Sequence, residues 1–190
     1  MVSGANPAIR CNLFFFKEKK KRIFTTIWAK QSVKNKDEIR ICVKKNKNMN
    51  QPFIKQEKIR FQHVDYAGIV FYPRFLEMLN GLVEDWFEEA LDRPFSKMHD
   101  TNGIPTVDLK VQFKKAARLG EVLTKKLWVK NLGGSSIVCG FSFENEQGQM
   151  CLEGEVTLVN VAFQENKNDI KAEPFNEKMK SKISNFIQND

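Results

Sequence analysis

The rhythm of apolar and polar positions changes several times along this chain, and each change marks an element. From Glu57 to Val64 the pattern alternates, with Ile59, Phe61 and His63 on one face, which predicts a strand. A compact loop, Asp65-Tyr66-Ala67-Gly68, follows. Pro73 then stands where a first helical residue would, its φ already set and no amide wasted. As far as Leu91, the apolar residues Phe75, Leu76, Leu79, Leu82, Val83, Trp86, Phe87 and Ala90 recur at helical spacing. Glu77, Glu84, Asp85, Glu88 and Glu89 take the opposite face. The spacing predicts one long amphipathic helix, and so wide an apolar stripe needs a broad surface to pack on.

The second half of the chain supplies that surface. Asp92-Arg93-Pro94 stops the helix, and four alternating segments follow: Thr106 to Lys114, Glu121 to Asn131, Ser135 to Glu144 and Gln149 to Phe163. Turn-rich separators lie between them at Ala117 to Gly120, Gly133-Gly134 and Glu146-Gln147-Gly148. Short connections imply an antiparallel meander. Pro174 to Ile187 is expected to form a last short helix. One helix covering one face of one sheet is an α+β two-layer domain.

Charge alters the picture only once it is located. The net charge is +8, but residues 1–50 hold 13 of the 31 Lys/Arg and 3 of the 23 Asp/Glu. The remainder is close to neutral, so the basic balance argues for no nucleic-acid-binding domain. Residues 1–48 show no sustained apolar period. They are expected to be either a basic disordered extension or sequence upstream of a true start at Met49, leaving 49–190 as the folded domain. The longest run without a charged residue, Asn131 to Phe143, is 13 residues, too short for a membrane helix. Cys11, Cys42, Cys139 and Cys151 show neither CxxC nor zinc-ligand spacing, and reduced thiols in a cytoplasmic setting are expected.

Candidate chemistry centres on Asp65, a carboxylate in a glycine-containing loop just before a helix start. Amides at a helix N-terminus attract negative charge. They would hold a developing oxyanion while the carboxylate attacks a carbonyl or activates water. One such donor contributes on the order of 3 kcal/mol, and a placed base roughly 10²–10⁴ in rate. The same residue types also suit an Asp that makes a loop or capping bond and nothing more.

The stretch Phe61-Gln-His-Val-Asp-Tyr-Ala-Gly-Ile-Val-Phe-Tyr-Pro-Arg-Phe75 resembles the signature of the 4-hydroxybenzoyl-CoA thioesterase family. The likeness continues through Gly103-Ile104-Pro105 and Ala117-Arg118-Leu119-Gly120-Glu121, covering roughly residues 55–165. The resemblance implies a hotdog fold, an antiparallel sheet wrapped around one long central helix. It implies hydrolysis of an acyl-CoA thioester without metal or cofactor, by a homodimer or homotetramer whose pocket lies between subunits. Asp65 takes the position of the catalytic carboxylate, nucleophile or general base, buried beside the thioester. The Tyr72 backbone N–H takes that of the oxyanion donor, and Phe71 that of an aromatic lining the acyl pocket. Gly68 and His63 complete the expected binding set.

The match has departures. Tyr66 replaces the usual proline after the acid, and Asn80 stands where the founding activity uses an acidic residue against the 4-hydroxyl. The turn Gly133-Gly134-Ser135-Ser136 lacks the basic residues some relatives direct at CoA phosphates. Among the other candidates, His63 is expected to point to the same strand face as Asp65, and His99 lies in a polar loop. Glu77 and Glu84 are the helix acids that another hotdog branch would use. Lys110, Lys114, Lys115 and Arg118 form a basic cluster suited to CoA phosphates or to a defended sheet edge. A different hotdog enzyme, such as a hydratase or an acyl-carrier-protein thioesterase, and a non-catalytic acyl-CoA binder are the alternatives.

Overall fold

The computed structural model describes residues 50–98, 101–164 and 170–188. The basic stretch 1–48, Cys11, Cys42 and His99 lie outside the described residues.

The long helix, α1 (Tyr72–Asp85), continues into a single π-helical turn over Trp86–Ala90. Its apolar stripe is buried as the spacing predicts: Phe75, Met78, Leu79, Leu82, Val83, Trp86 and Phe87 all enter the core. The π turn is visible in the bond from Leu91 N–H to Trp86 O, five residues back. It begins where two adjacent aromatics are both fully buried, Trp86 against Phe186 and Phe87 against Phe95. Asp92, at φ 56°, then takes the left-handed position that closes many helices.

The main sheet comprises β1 (Phe53–Lys58), β3 (Thr106–Phe113), β4 (Val122–Leu132), β5 (Ser136–Glu144) and β6 (Met150–Val159), in the antiparallel order β1-β4-β5-β6-β3. Side chains alternate across it. Leu123, Leu127 and Val129 of β4, Ile137, Cys139, Phe141 and Phe143 of β5, and Leu152, Val156 and Leu158 of β6 form one core with α1. Two close approaches fix the registers. At Gly154 the Lys110 carbonyl and the tip of the Phe141 ring together occupy the space a side chain would need, and Gly140 lies beneath the Trp128 ring on the other face. This is the hotdog arrangement, α+β with one helix against an antiparallel sheet.

Three sequence expectations are corrected. The first strand ends at Lys58, and Phe61–His63 is a 3₁₀ turn instead of more strand. Phe61 is therefore exposed while Ile59 and His63 are buried. The four later strands are not a simple meander, since β3 pairs with β6 at the far edge and only β4-β5-β6 run as consecutive hairpins. The segment Gln149 to Phe163 breaks at Asn160. There the backbone N–H goes to Ser135 O, the side-chain amide to Glu173 O, and Arg93 donates to Oδ1. Beyond the break β7 (Val161–Phe163) joins β2 (Asn102–Gly103) and β8 (Ile170–Ala172) in a small separate sheet.

A four-residue helix, α2 (Phe95–Met98), follows α1. The last helix, α3 (Glu177–Ser184), is shorter than the stretch predicted, and is capped by Asn176 accepting from Met179 N–H at 2.9 Å. No helix among the described residues is long and apolar enough to cross a membrane.

Packing sets the chemistry of the core thiols. Cys139, wholly buried between β4 and β6, has its pKa pushed by desolvation from 9.0 to about 12. Between those values the unfolded chain sheds a proton the folded chain keeps. This contribution to stability is therefore complete below pH ~8.5 and is lost as pH rises toward the folded value. The urea-unfolding free energy of the wild type should fall more steeply between about pH 8 and 11 than that of Cys139→Ala. Parallel slopes for the two proteins would show that the buried thiol does not contribute.

Candidate active site

The residues from His63 to Tyr72 form a small closed loop rather than an extended connection. Phe71 N–H donates to His63 O at 3.0 Å, and Val64 and Val70 bridge antiparallel. Inside that clasp Asp65 N–H donates to Ile69 O and Gly68 N–H to Asp65 O, each at 3.0 Å. Gly68 sits at φ 72°, a conformation glycine adopts without strain. The strand–loop–helix signature is thus a backbone-bonded turn whose two ends are pinned together.

Asp65 is exposed in the single chain, not buried as the resemblance implied. Its Oδ1 accepts Ala67 N–H at 2.8 Å, the short-range loop bond expected of an Asp in such a place. The second carboxylate oxygen has no hydrogen-bond or ion-pair partner among the described residues.

Tyr72 opens α1. The residue before it, Phe71, offers no side-chain cap, and Pro73 has no N–H. Arg74 N–H returns to Phe71 O at 2.8 Å, whereas the Tyr72 N–H meets no backbone acceptor among the described residues. An uncapped first turn leaves a donor available for negative charge. The helix lacks the Ser, Thr, Asp or Asn that usually fills this position, a signal present in the sequence that propensity reading passed over.

The other predicted residues divide. Phe71 is half exposed and stacks edge-on against Tyr72 at 5.2 Å between centroids; Tyr72 in turn meets Phe113 of β3 at 6.4 Å. Phe71 is absent from the apolar cavity that Asn80 lines. That cavity, about 170 Å³, lies between α1 and β3–β6 and is walled by Leu76, Leu79, Val83, Leu109 and Val156. Asn80 and Thr106 are its polar groups. A larger cavity of about 410 Å³, beside Arg93, Asn102, Glu173 and Lys182, holds none of the predicted residues and lies at the other end of α1.

His63 does not share a strand face with Asp65, because the strand has already ended. Its Nδ1 accepts Arg60 N–H at 3.1 Å, Nε2 lies 3.2 Å from Gln62 Nε2 and 4.0 Å from Glu57 Oε1, and its carbonyl clasps the loop. Glu77 pairs with Arg74 at 2.7 Å, and Glu84 is exposed.

Of the basic cluster, Lys114 pairs with Glu153 at 3.0 Å, Lys115 binds Gln149, and Lys110 stands 3.9 Å from Asp108. Arg118 is different. Its backbone bridges Ile69, Val70 N–H donates to Ala117 O and Leu119 N–H to Gly68 O, so the Ala117–Gly120 turn braces the Asp65 loop. The Gly133-Gly134-Ser135-Ser136 turn is occupied elsewhere, Gly134 O by Phe175 N–H and Ser135 O by Asn160 N–H.

Comparison with known proteins agrees with this architecture. The model of the Thioesterase-like superfamily matches residues 59–183. YneP of Bacillus subtilis (strain 168), whose name proposes an acyl-CoA thioesterase, is 24% identical over 104 residues, 52% of this chain and 72% of its own. Among solved structures, Slr0204, a 1,4-dihydroxy-2-naphthoyl-CoA thioesterase from Synechocystis, superposes with a TM-score of 0.62 at 19% identity, covering 70% of this chain and 96% of that one. A 4-hydroxybenzoyl CoA thioesterase mutant complexed with 4-hydroxybenzoyl CoA gives 0.63 at 20% identity, covering 70% and 98%. At these identities the solved structures speak for the fold, and the family match, which spans more than half of the sequence, establishes that the chain belongs to the thioesterase-like superfamily.

Proposed function

We propose that this protein hydrolyses acyl-CoA thioesters to a free carboxylic acid and CoA-SH, with Asp65 as the reacting carboxylate and the Tyr72 N–H as the oxyanion donor. The observation that carries the reading is one juxtaposition. A carboxylate with an unengaged oxygen sits in a pinned glycine loop that leads directly into an uncapped helix N-terminus. In a thioesterase-like chain that pairing supplies both parts of acyl transfer.

The carboxylate acts in one of two ways. As a nucleophile it attacks the thioester carbon, expels CoA thiolate and leaves a mixed anhydride for water to open. As a base it takes a proton from the water that attacks. Either way the carbonyl oxygen becomes negative at the helix start, where the amide dipoles favour it. Asn80 in its apolar cavity is the polar group offered to the acyl portion, and Arg118, held beside Gly68 and Ile69, is the cation offered to CoA.

We propose further that the working unit is at least a homodimer. β3 is an open sheet edge whose Val107, Leu109 and Phe113 are all exposed, next to exposed Phe71 and Tyr72. Pairing two β3 strands about a two-fold axis would satisfy both edges and cover the apolar surface beside the helix start.

Thiol release from short aliphatic, long aliphatic, benzoyl and hydroxybenzoyl CoA esters tests the chemistry. Asp65→Asn should lower turnover by at least about a hundredfold with folding and assembly size unchanged. Activity that survives this change would remove Asp65 from the mechanism. A wild type that binds these esters without releasing thiol would instead be an acyl-CoA-binding protein.

Light scattering tests the assembly. The wild type should show the mass of a dimer or tetramer, and Val107→Lys with Leu109→Lys should shift it to monomer with loss of turnover. A fully active wild-type monomer would refute the shared site.

A further inference from the structure

The helix-facing surface of the sheet is apolar at Leu123, Leu127, Ile137, Phe141 and Phe143, yet its middle carries an ammonium. Lys125 of β4 is 4% exposed, and it is the one buried lysine or arginine among the described residues. Its Nζ donates to Glu57 Oε2 of β1 at 2.6 Å and to the carbonyl of Met78, in the second turn of α1, at 3.2 Å. The Phe143 ring lies 6.0 Å away.

Stability does not account for this residue. Withdrawing an ammonium from water is costly, and replacing a buried pair by apolar groups of similar size is often neutral or stabilising. What the pair supplies is geometry, because Lys125 touches both arms that carry the Asp65 loop. On the incoming side Glu57 stands 4.0 Å from His63 Nε2, and the His63 carbonyl receives Phe71 N–H. On the outgoing side the Met78 carbonyl ties the lysine to the helix whose first amide is the proposed oxyanion donor.

We propose that Lys125 and Glu57 are a positioning pair for the active loop, setting the separation between Asp65 and the Tyr72 N–H. The inference rests on the hydrolase reading above. Neither residue touches substrate; each acts through the backbone it holds. Catalysis is sensitive to such placement, since an error of about 1 Å at the reacting groups costs on the order of a hundredfold.

The test uses the full-length chain with Lys125→Met, Glu57→Gln and the double variant, assayed on the best thioester of the panel. Expected is a fall in kcat of about tenfold or more per folded molecule, with KM within about twofold of wild type. The double variant should be no slower than the slower single variant, since both act as one unit. Lys125→Met leaves Glu57 and the Met78 carbonyl without their donor and should lower the unfolding temperature, so turnover is read per folded molecule. A kcat within about twofold of wild type, or a loss confined to KM, would overturn the proposal. So would a loss that merely tracks the unfolded fraction. If Lys125→Met fails to fold, Glu57→Gln decides, its carboxylate being about one-third exposed in the wild type.

Amide hydrogen exchange supplies a second readout that needs no turnover. Protection at Val70 and Phe71 should drop by about tenfold in the variants while the β5–β6 ladder keeps its own. Unchanged protection there refutes the positioning role even in an active enzyme. A wild type without thiol release, but with the exchange difference intact, refutes only the hydrolase reading.

Discussion

Everything at the site depends on where the N-terminus of α1 is held, and that is decided by the burial of one helical stripe. Phe75, Leu79, Leu82, Trp86 and Phe87 lie on the sheet, each contributing about 1.5–3 kcal/mol by leaving water. With 14 residues in α1 and 5 in the π turn, the helix runs for about 28 Å, so a small rotation at its buried end would displace its first turn appreciably. The glycines at 140 and 154 serve the same end. By letting Trp128 and Phe141 lie across neighbouring strands they fix the register of the surface on which the helix rests. Close packing allows few alternative seatings. A loop built largely from backbone bonds can then inherit its accuracy from the core.

What the sequence revealed follows from which forces are local. The helix was legible because its stripe repeats every three to four residues, and β4, β5 and β6 because they alternate and are joined by short turns. The end of β1 was not, since Ile59, Phe61 and His63 alternate whether the chain is extended or coiled into a 3₁₀ turn. Nor could spacing reveal that β3 crosses to pair with β6. A strand's own residues do not record which neighbour it meets, and β3 is too exposed to state a preference. The candidate site was read in the same proportion. Asp65, Gly68 and Tyr72 fall within one short stretch of sequence and stood out together. The brace from Ala117 and Arg118, and Lys125 beneath the helix, come from residues far along the chain, whose relevance exists only once the sheet is formed.

The exposure of the loop and the openness of β3 are one fact seen twice. Tyr72 meets Phe113 edge-on, so the aromatic surface around the helix start continues into the sheet edge. Phe61, Tyr66, Phe71, Tyr72, Val107 and Phe113 all remain uncovered in the single chain. A two-layer domain with its helix on one face has nowhere else to bury them. The polarity of the opposite edge is consistent with this division. There Lys55 of β1, its ammonium held above the usual lysine range by its hydrogen bond to Glu89, faces the acidic side of the helix terminus at Asp85 and Glu89. Opposite charges close one side of the helix within the chain, and apolar surface stays uncovered on the other.

The loop also explains why its one conspicuous departure from the family signature is tolerable. Tyr66 is fully exposed, and the bonds that shape the turn run from Asp65 N–H to Ile69 O, from Gly68 N–H to Asp65 O, and from Ala67 N–H to the Asp65 carboxylate. None uses the side chain at position 66, and none requires its φ to be fixed by a ring. A proline there would narrow the unfolded ensemble and so stiffen the turn. In this chain the same stiffness comes from outside, through the Ala117–Gly120 turn that bonds to Val70 and Gly68. Asn80 is a different kind of departure. It lines the small cavity, where a neutral amide can both donate and accept a hydrogen bond, whereas an ionised carboxylate only accepts. The first change leaves the hydrogen-bonded frame of the loop as it was. The second changes the hydrogen bonding that the cavity wall offers, two turns into the helix.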